Sequence, residues 1–476
     1  MRIAVFSLSL LISSFAVAQT ENAAFSITGK GVASPFATDY QALGINPSNL
    51  DFDSEFEKPV TFGFGEFGIS AYSEALAKGE LRDNILQSNL SEMTPEERRE
   101  LAGDIAGTAI ALDLDVMTTG IHVKTNNAGG FAFTTRDRFD YYSVYGPQVT
   151  DLGVNGFESS YFDLLVLSTG DTIPNTSDLP EDSLELVESG LTLLQNAQNL
   201  SSILDGTQLS MSWMREYHIG WGKKVLSTEE WAIYGGIGLK YIQGVSFLQI
   251  DAADGKATAL GASPAGLEAL FRDESEEISG DGFKPVGNGF GVDLGATFQF
   301  QNDIRIGVSI VDIGSVTWNN GSYQLKDTLF TEFDQTPIDE PNVGGLVNNV
   351  SEFIEWNGDV EHTTKLPTTI RVGVGWMINE KIRVGGEWVA PANDELSSLD
   401  QGVLAVGGDL TPTKWLQLSA GFIDGGNYDF KIPAGVTFRV GGGAWEFGAA
   451  SRDIITFFSE EQPTISGAFG FLRFRV

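Results

Sequence analysis

Thr369-Ile-Arg-Val-Gly-Val-Gly-Trp-Met-Ile378 alternates without a break. Ile370, Val372, Val374, Trp376 and Ile378 share one face, and Thr369, Arg371, Gly373 and Gly375 share the other. A period of two is the side-chain repeat of a β-strand. A polar turn at Asn379, Glu380 and Lys381 follows, after which Ile382, Val384 and Trp388 resume the apolar face opposite Arg383 and Glu387. The pattern recurs until the chain stops on Phe471-Leu-Arg-Phe-Arg-Val476. A soluble sheet hides its apolar face under a second layer. From Lys365 onward strand follows strand, with no helix or second apolar sheet to supply that cover, and lipid supplies it instead.

The same reading extends upstream. Val60 to Tyr72 is a first strand, Gly107–Thr125 and Gly130–Tyr145 a hairpin, and Gln208–Val225 and Glu230–Ile250 another. Gly289–Phe300 returns from Ile304, and the last strands lie near 367–378, 381–391, 402–411, 414–424, 431–441, 444–456 and 464–476. The total is about fourteen, an even number within the range of bacterial outer-membrane barrels. Every second connection is tight: 126–129, 226–229, 301–303, 379–381, 412–413 and 442–443. The intervening ones are longer, at 74–106, 146–206, 251–288, 326–364 and 392–401. Short periplasmic turns and long external loops are the asymmetry of an outer-membrane barrel. The expected fold is therefore all-β, a transmembrane antiparallel up-and-down β-barrel with both termini periplasmic. Helical insertions are expected in its extracellular loops. Thr94-Pro-Glu-Glu97 reads as a capping box that starts a helix within Glu74–Ile105. Ser183–Leu204 reads as a second helix.

Composition narrows the function. Among 476 residues, 42% are hydrophobic, 56 are glycine and none is cysteine, so disulfides and thiolate metal sites are excluded. A net charge of −35 disfavours nucleic acid and anionic lipid as partners. Residues 1–18 read as a signal peptide, with Arg2 ahead of an apolar core from Ala4 to Phe15 and a small-residue site at Ala16-Val-Ala18. Only three histidines occur, His122, His218 and His362, and none sits in a triad or metal-ligand pattern. No catalytic, cofactor or metal-binding residue is expected.

Strand parity sorts the polar and aromatic side chains. Asp113, Asp115, Asp293, Arg305, Arg371, Arg383, Glu387, Asp409, Arg439, Glu446 and Arg452 are expected to face the lumen. Opposite signs on adjacent strands, such as Arg371 beside Glu387 and Arg439 beside Glu446, favour a paired and partly packed interior. Trp221, Trp231, Trp376 and Trp445 lie close to tight turns and would form an aromatic belt at the periplasmic interface. Trp415 is also near such a turn, but its parity makes it a candidate core residue. Arg215 conflicts with the scheme, because it shares parity with Met211, Trp213 and Ile219 on the lipid face. At the midplane that would cost about 2–4 kcal/mol.

Several stretches resemble a known family. Tyr217-His-Ile-Gly-Trp-Gly-Lys-Lys224, Trp231-Ala-Ile-Tyr-Gly-Gly-Ile-Gly-Leu-Lys-Tyr-Ile-Gln-Gly244, and Gly289-Phe-Gly-Val-Asp-Leu-Gly-Ala296 continuing to Val311-Asp-Ile-Gly-Ser-Val-Thr-Trp318 are the clearest. They resemble an uncharacterised family of Bacteroidota outer-membrane barrels, itself similar to the FadL/TodX and PorV superfamily. Asn46-Pro47-Ser48-Asn49-Leu50 is similar to the Asn-Pro-Ala-x-Leu element that follows the plug of FadL-type proteins. The resemblance implies a barrel over 60–476 with residues 19–59 tucked into its lumen as a plug. For the FadL branch it implies uptake of a small hydrophobic solute. For the PorV branch it implies a non-transporting accessory of assembly or secretion, with a protein partner at the extracellular loops. It also implies that Leu472, Phe474 and Val476, on the outward face of the last strand, are recognised by the barrel-insertion machinery.

Overall fold

A computed structural model describes residues 24–53, 56, 58–74, 94–176, 186–263, 284–301, 303–337, 356–358, 360–395, 398–399, 401–426, 430–455 and 464–476. The wall is a closed antiparallel barrel of 14 strands. In chain order these are β1 (Val60–Ser73), β2 (Ala109–Thr125), β3 (Gly129–Val144), β4 (Gln208–Ser227), β5 (Trp231–Ala253), β6 (Gly287–Phe300) and β7 (Ile304–Trp318). They continue as β8 (Thr369–Asn379), β9 (Ile382–Pro391), β10 (Val403–Thr413), β11 (Leu416–Gly425), β12 (Ala434–Val440), β13 (Trp445–Ser451) and β14 (Thr464–Arg475). Each strand pairs with its sequence neighbours, and β14 closes on β1 with Phe64 opposite Leu472 and Tyr72 opposite Thr464. Closure leaves no unpaired strand edge, which a bilayer would not tolerate.

All the tight turns lie at one end of the barrel, and so do the outer ends of β1 and β14, where Val60 and Val476 exchange backbone hydrogen bonds of 3.2 and 3.0 Å. The outside of the wall is apolar: Phe290, Ile306, Val308, Val374, Leu404, Val406, Phe422 and Phe471 are all exposed. Trp221, Trp376 and Trp445 are exposed near the turns, while Trp231 is half-buried and stacks on Phe298. The indole of Trp221 donates to the Ala128 carbonyl at 2.7 Å and that of Trp445 to Phe471 at 2.8 Å. Trp415 is not a core residue. It is exposed and stacks on Phe438, because it sits in the turn between β10 and β11, where strand parity no longer applies.

Arg215 does face outward, paired across the β3–β4 ladder with Asp137 at 3.0 Å. The ion pair softens the conflict, because Arg215 faces outward with Asp137 on the neighbouring strand rather than as a lone charge.

The other end carries a cap. Helices Pro95–Ile105 and Pro147–Asn155 pack on one another, and the Thr94–Glu97 capping box forms as expected. The remainder of the expected first helix, 75–93, lies outside the described residues. The expected helix over Ser183–Leu204 does not form. Residues 186–204 give a strand (Val187–Leu191), a turn, a two-residue strand and a single helical turn (Leu200–Ile203). Val187–Leu191 joins Leu164–Leu167, Thr172–Pro174 and Glu332–Phe333 in a four-stranded sheet, so tertiary pairing overrides local helix preference. Leu152, Phe162, Leu200, Ile203, Phe330 and Phe333 belong to a buried core shared between the cap and the rim strands.

Candidate functional site

Residues 24–52 run through the lumen. Their longest regular pieces are five residues or fewer: a helical turn at Phe25–Thr28 and 3-10 turns at Asp39–Ala42 and Pro47–Asp51. Asn46 caps the last of these, accepting from the Ser48 amide at 3.2 Å, with Pro47 at the first helical position. Elements this short cannot satisfy their own backbone or bury their own side chains. The wall does both.

Glycine makes the room. A Cβ on Gly220 would strike Leu43, one on Gly236 the backbone of Pro47, and one on Gly295 the side chain of Asn46. Gly375 and Gly385 likewise receive Phe36, and Gly407 and Gly421 receive the carbonyl of Lys30. The inward faces of β4, β5, β6 and β8–β11 are thus carved into a groove that follows the segment. Tyr40, Leu43, Ile45 and Leu50 form its buried apolar core together with Met117 and Ala132 of the wall.

Polar contacts fix the segment at several points around the wall. Lys30 meets Asp409 at 2.6 Å, and Asp409 also holds Arg383 at 3.0 Å and Ser419 at 2.6 Å. Glu387 accepts from Ser34 Oγ at 2.5 Å and from Arg371 at 3.3 Å. Tyr40 and Gln41 both donate to Glu66, at 2.5 and 2.7 Å. Ser48 Oγ lies 2.8 Å from Thr297 Oγ1, which also donates to Asn49 Oδ1 at 3.0 Å. Burial pushes the Lys30 ammonium down to about 8 against the pull of Asp409. Burial, reinforced by Glu66, pushes the Tyr40 phenol up.

Two spaces flank the segment. The loop-ward one is small, about 110 Å³, and is lined by Arg138, Asp312, Arg371, Glu387 and Arg452 among others. The turn-ward one is larger, about 510 Å³, and reaches Asp303, Asn379 and Glu380 in the turns. Ile27 lines both, so the segment lies between them.

The charges read from parity fall inside. Asp113, Asp115, Asp293, Glu387, Asp409, Arg439 and Glu446 are buried, Arg371 and Arg383 hold Glu387 and Asp409, and Arg305 lies 4.0 Å from the centre of the Phe52 ring. Register explains the pairs: Arg383 stands opposite Asp409, and Arg439 opposite Glu446, which in turn faces Arg473. Asn46, Pro47 and Asn49 are buried in the segment, and the Asn49 amide donates to the carbonyls of Ser34 and Ala37 at 2.7 and 2.9 Å. Sequence reasoning missed other members. Arg473 and Arg475 alternate with Leu472, Phe474 and Val476, so their direction was available from the same pattern. Glu66 was hidden by a bulge. Gly65 takes φ +63°, both it and Phe64 turn outward, and parity reverses to bring Glu66 in. Asp312 has the same origin, with φ +62° opposite the register shift at Val292/Leu294. It meets Arg138 at 3.5 Å and also Lys240, which lies 3.3 Å from Asp293.

The model of a family of unknown function, DUF5723, matches residues 167–450, from the cap through most of β13. The chain belongs to that family. No curated protein matches the sequence. Among solved structures, the DUF5723 chain is similar to a deletion mutant (deltaS2S3) of the TodX monoaromatic hydrocarbon channel, at 9% identity and a TM-score of 0.47, covering 94% of this chain and 97% of that one. The Pseudomonas putida toluene transporter TodX gives 11% identity and 0.43, over 96% and 98%. A Pseudomonas aeruginosa FadL homologue gives 10% and 0.39, over 96% of each chain. The closed wall, its apolar exterior and its charged interior make this DUF5723 member an outer-membrane β-barrel.

Proposed function

We propose that the protein is an outer-membrane conduit for a small solute, held closed by residues 24–52 acting as a plug, with the turn end and both termini in the periplasm. The observation that carries this reading is the pair of spaces on either side of the segment, with Ile27 lining both. Movement of the segment would join them. Its hold on the wall combines a buried apolar core with separate hydrogen bonds and ion pairs, so release requires the segment to leave as a unit. Both spaces are lined by charged side chains, which favours a polar or ionic solute over the hydrophobic one implied by the FadL resemblance. The test is conductance with and without residues 24–52.

A second reading rests on the cap. Residues 146–207 carry ten Asp and Glu and no Lys or Arg. Leu194 is 80% exposed on that cap, with Leu193 and Leu329 also exposed. An apolar knob on an acidic surface suits a protein partner whose apolar site is ringed by Lys and Arg, the accessory role of the PorV branch. Leu193→Ser/Leu194→Ser should abolish stoichiometric co-purification of such a partner while leaving the barrel folded. Retention of the partner by that variant would remove the basis for this role.

A further inference from the structure

The cap carries a cleft of its own, about 430 Å³ in volume. Three pieces of chain meet in it: the N-terminal half of helix Pro147–Asn155, the turn at Ser160 and Tyr161, and the loop from Asn196 to Gln198. Two carboxylates lock them together. Asp151 accepts from Asn155 Nδ2 at 2.7 Å and from the Ser160 amide and hydroxyl at 3.0 and 2.7 Å. Asp163 accepts from the Leu193 amide at 2.8 Å and from Asn196 Nδ2 at 2.9 Å.

Tyr161 supplies an apolar surface in a fixed position. Its hydroxyl donates to the Phe330 carbonyl at 2.6 Å and accepts from the Gln198 amide at 3.0 Å. Phe162 and Phe330 pack against its ring, with centroids 5.2 and 5.6 Å away, and the ring also borders the cleft. Beside it, the Gln148 and Gln198 carboxamides make no hydrogen bond to any described residue. No Lys, Arg or His lines the cleft among the described residues, and residues 146–207 contain no Lys or Arg. An anion therefore finds no counter-charge there. A cation finds one carboxylate, Asp151, whose two oxygens already accept hydrogen bonds. What the cleft offers is neutral. A carboxamide presents a donor and an acceptor side by side, which suits the adjacent hydroxyls of a sugar. The C–H face of a pyranose ring is apolar and suits an aromatic ring.

We infer that this cleft binds a neutral oligosaccharide, with one pyranose ring against Tyr161 and its hydroxyls bonded to Gln148 and Gln198. The volume falls within the ~300–1,000 Å³ of small-molecule sites. The inference goes beyond the conduit reading, because it concerns the cap alone and binding is measured with the barrel closed.

The test is calorimetric titration of the full-length protein in a polyoxyethylene detergent, which carries no sugar headgroup. Maltohexaose, laminarihexaose and β-1,4-mannohexaose serve as neutral probes, with an oligogalacturonate of similar length as the acidic comparison. Saturable binding of at least one neutral probe is expected, unchanged as salt is raised and tighter than that of the oligogalacturonate. In Gln148→Ala/Gln198→Ala it should weaken tenfold or more, with heat-modifiable migration unchanged. Absence of saturable binding by all three neutral probes would overturn the proposal. So would equal affinity in the Gln148/Gln198 variant, or binding of the oligogalacturonate as tight as that of the neutral probes.

Discussion

Removing residues 24–52 while leaving 1–23 in place should turn a closed barrel into one that conducts steadily in a planar lipid bilayer. The expectation follows from what the segment occupies. Its backbone lies against inward glycines on β4, β5, β6 and β8–β11, and those positions offer no side chains to refill the space. Tyr40, Leu43, Ile45 and Leu50 would leave with it, and water would enter a lumen whose walls carry charge. Loss of Lys30, Ser34, Tyr40 and Gln41 also frees Asp409, Glu387 and Glu66 from part of their hydrogen bonding, which an aqueous lumen can replace. A folded deletion variant, recognised by heat-modifiable migration, should therefore show a stable open current where the full chain does not. If the variant folds and stays silent, the cap or the wall closes the barrel and residues 24–52 are not the gate.

Glu446→Ala is expected to have the largest effect of any single substitution on stability. The carboxylate is buried among Arg439, Arg473 and Arg475, on strands that flank the β14–β1 closure. Truncation removes the carboxylate that all three buried guanidiniums contact, and breaking a buried pair on one side costs about 3–5 kcal/mol. Glu446→Gln retains the volume and one acceptor and should fall between the variant and the native protein. Urea unfolding in lipid vesicles, followed by tryptophan fluorescence, measures both. An unchanged midpoint for Glu446→Ala would mean that the arginines are hydrated and the cluster contributes nothing to closure.

The wall was readable in the sequence because lipid enforces alternation on one face of each strand, as Ile370–Ile378 shows, and because turns and loops differ in length at the two ends. Inward charges followed from the same parity wherever the strand was regular. Parity failed where the backbone bulges, at Gly65 and Asp312, since one extra residue reverses every side chain that follows. The cap escaped because its sheet joins pieces of two distant insertions, 164–191 and 332–333, through pairings that no local signal marks. The glycine groove escaped for a different reason. A glycine in a strand lowers β-propensity in any reading of the strand alone, and its purpose appears only when the partner that needs the space is known. Gly236 and Gly295 gain their meaning from Pro47 and Asn46, which lie far away in the chain.

Whether residues 24–52 lie inside the wall as described is read most directly from a disulfide. The protein has no cysteine of its own, and Ser48 Oγ stands 2.8 Å from Thr297 Oγ1 on β6. Ser48→Cys/Thr297→Cys, purified under mild oxidation, should lose both free thiols and migrate as a crosslinked, faster species on a denaturing gel without reductant. Reduction should restore the mobility of the native chain. Two thiols that stay reactive toward maleimide in the folded barrel, with no crosslinked species, would contradict the docking of the segment on the lumenal face of the wall.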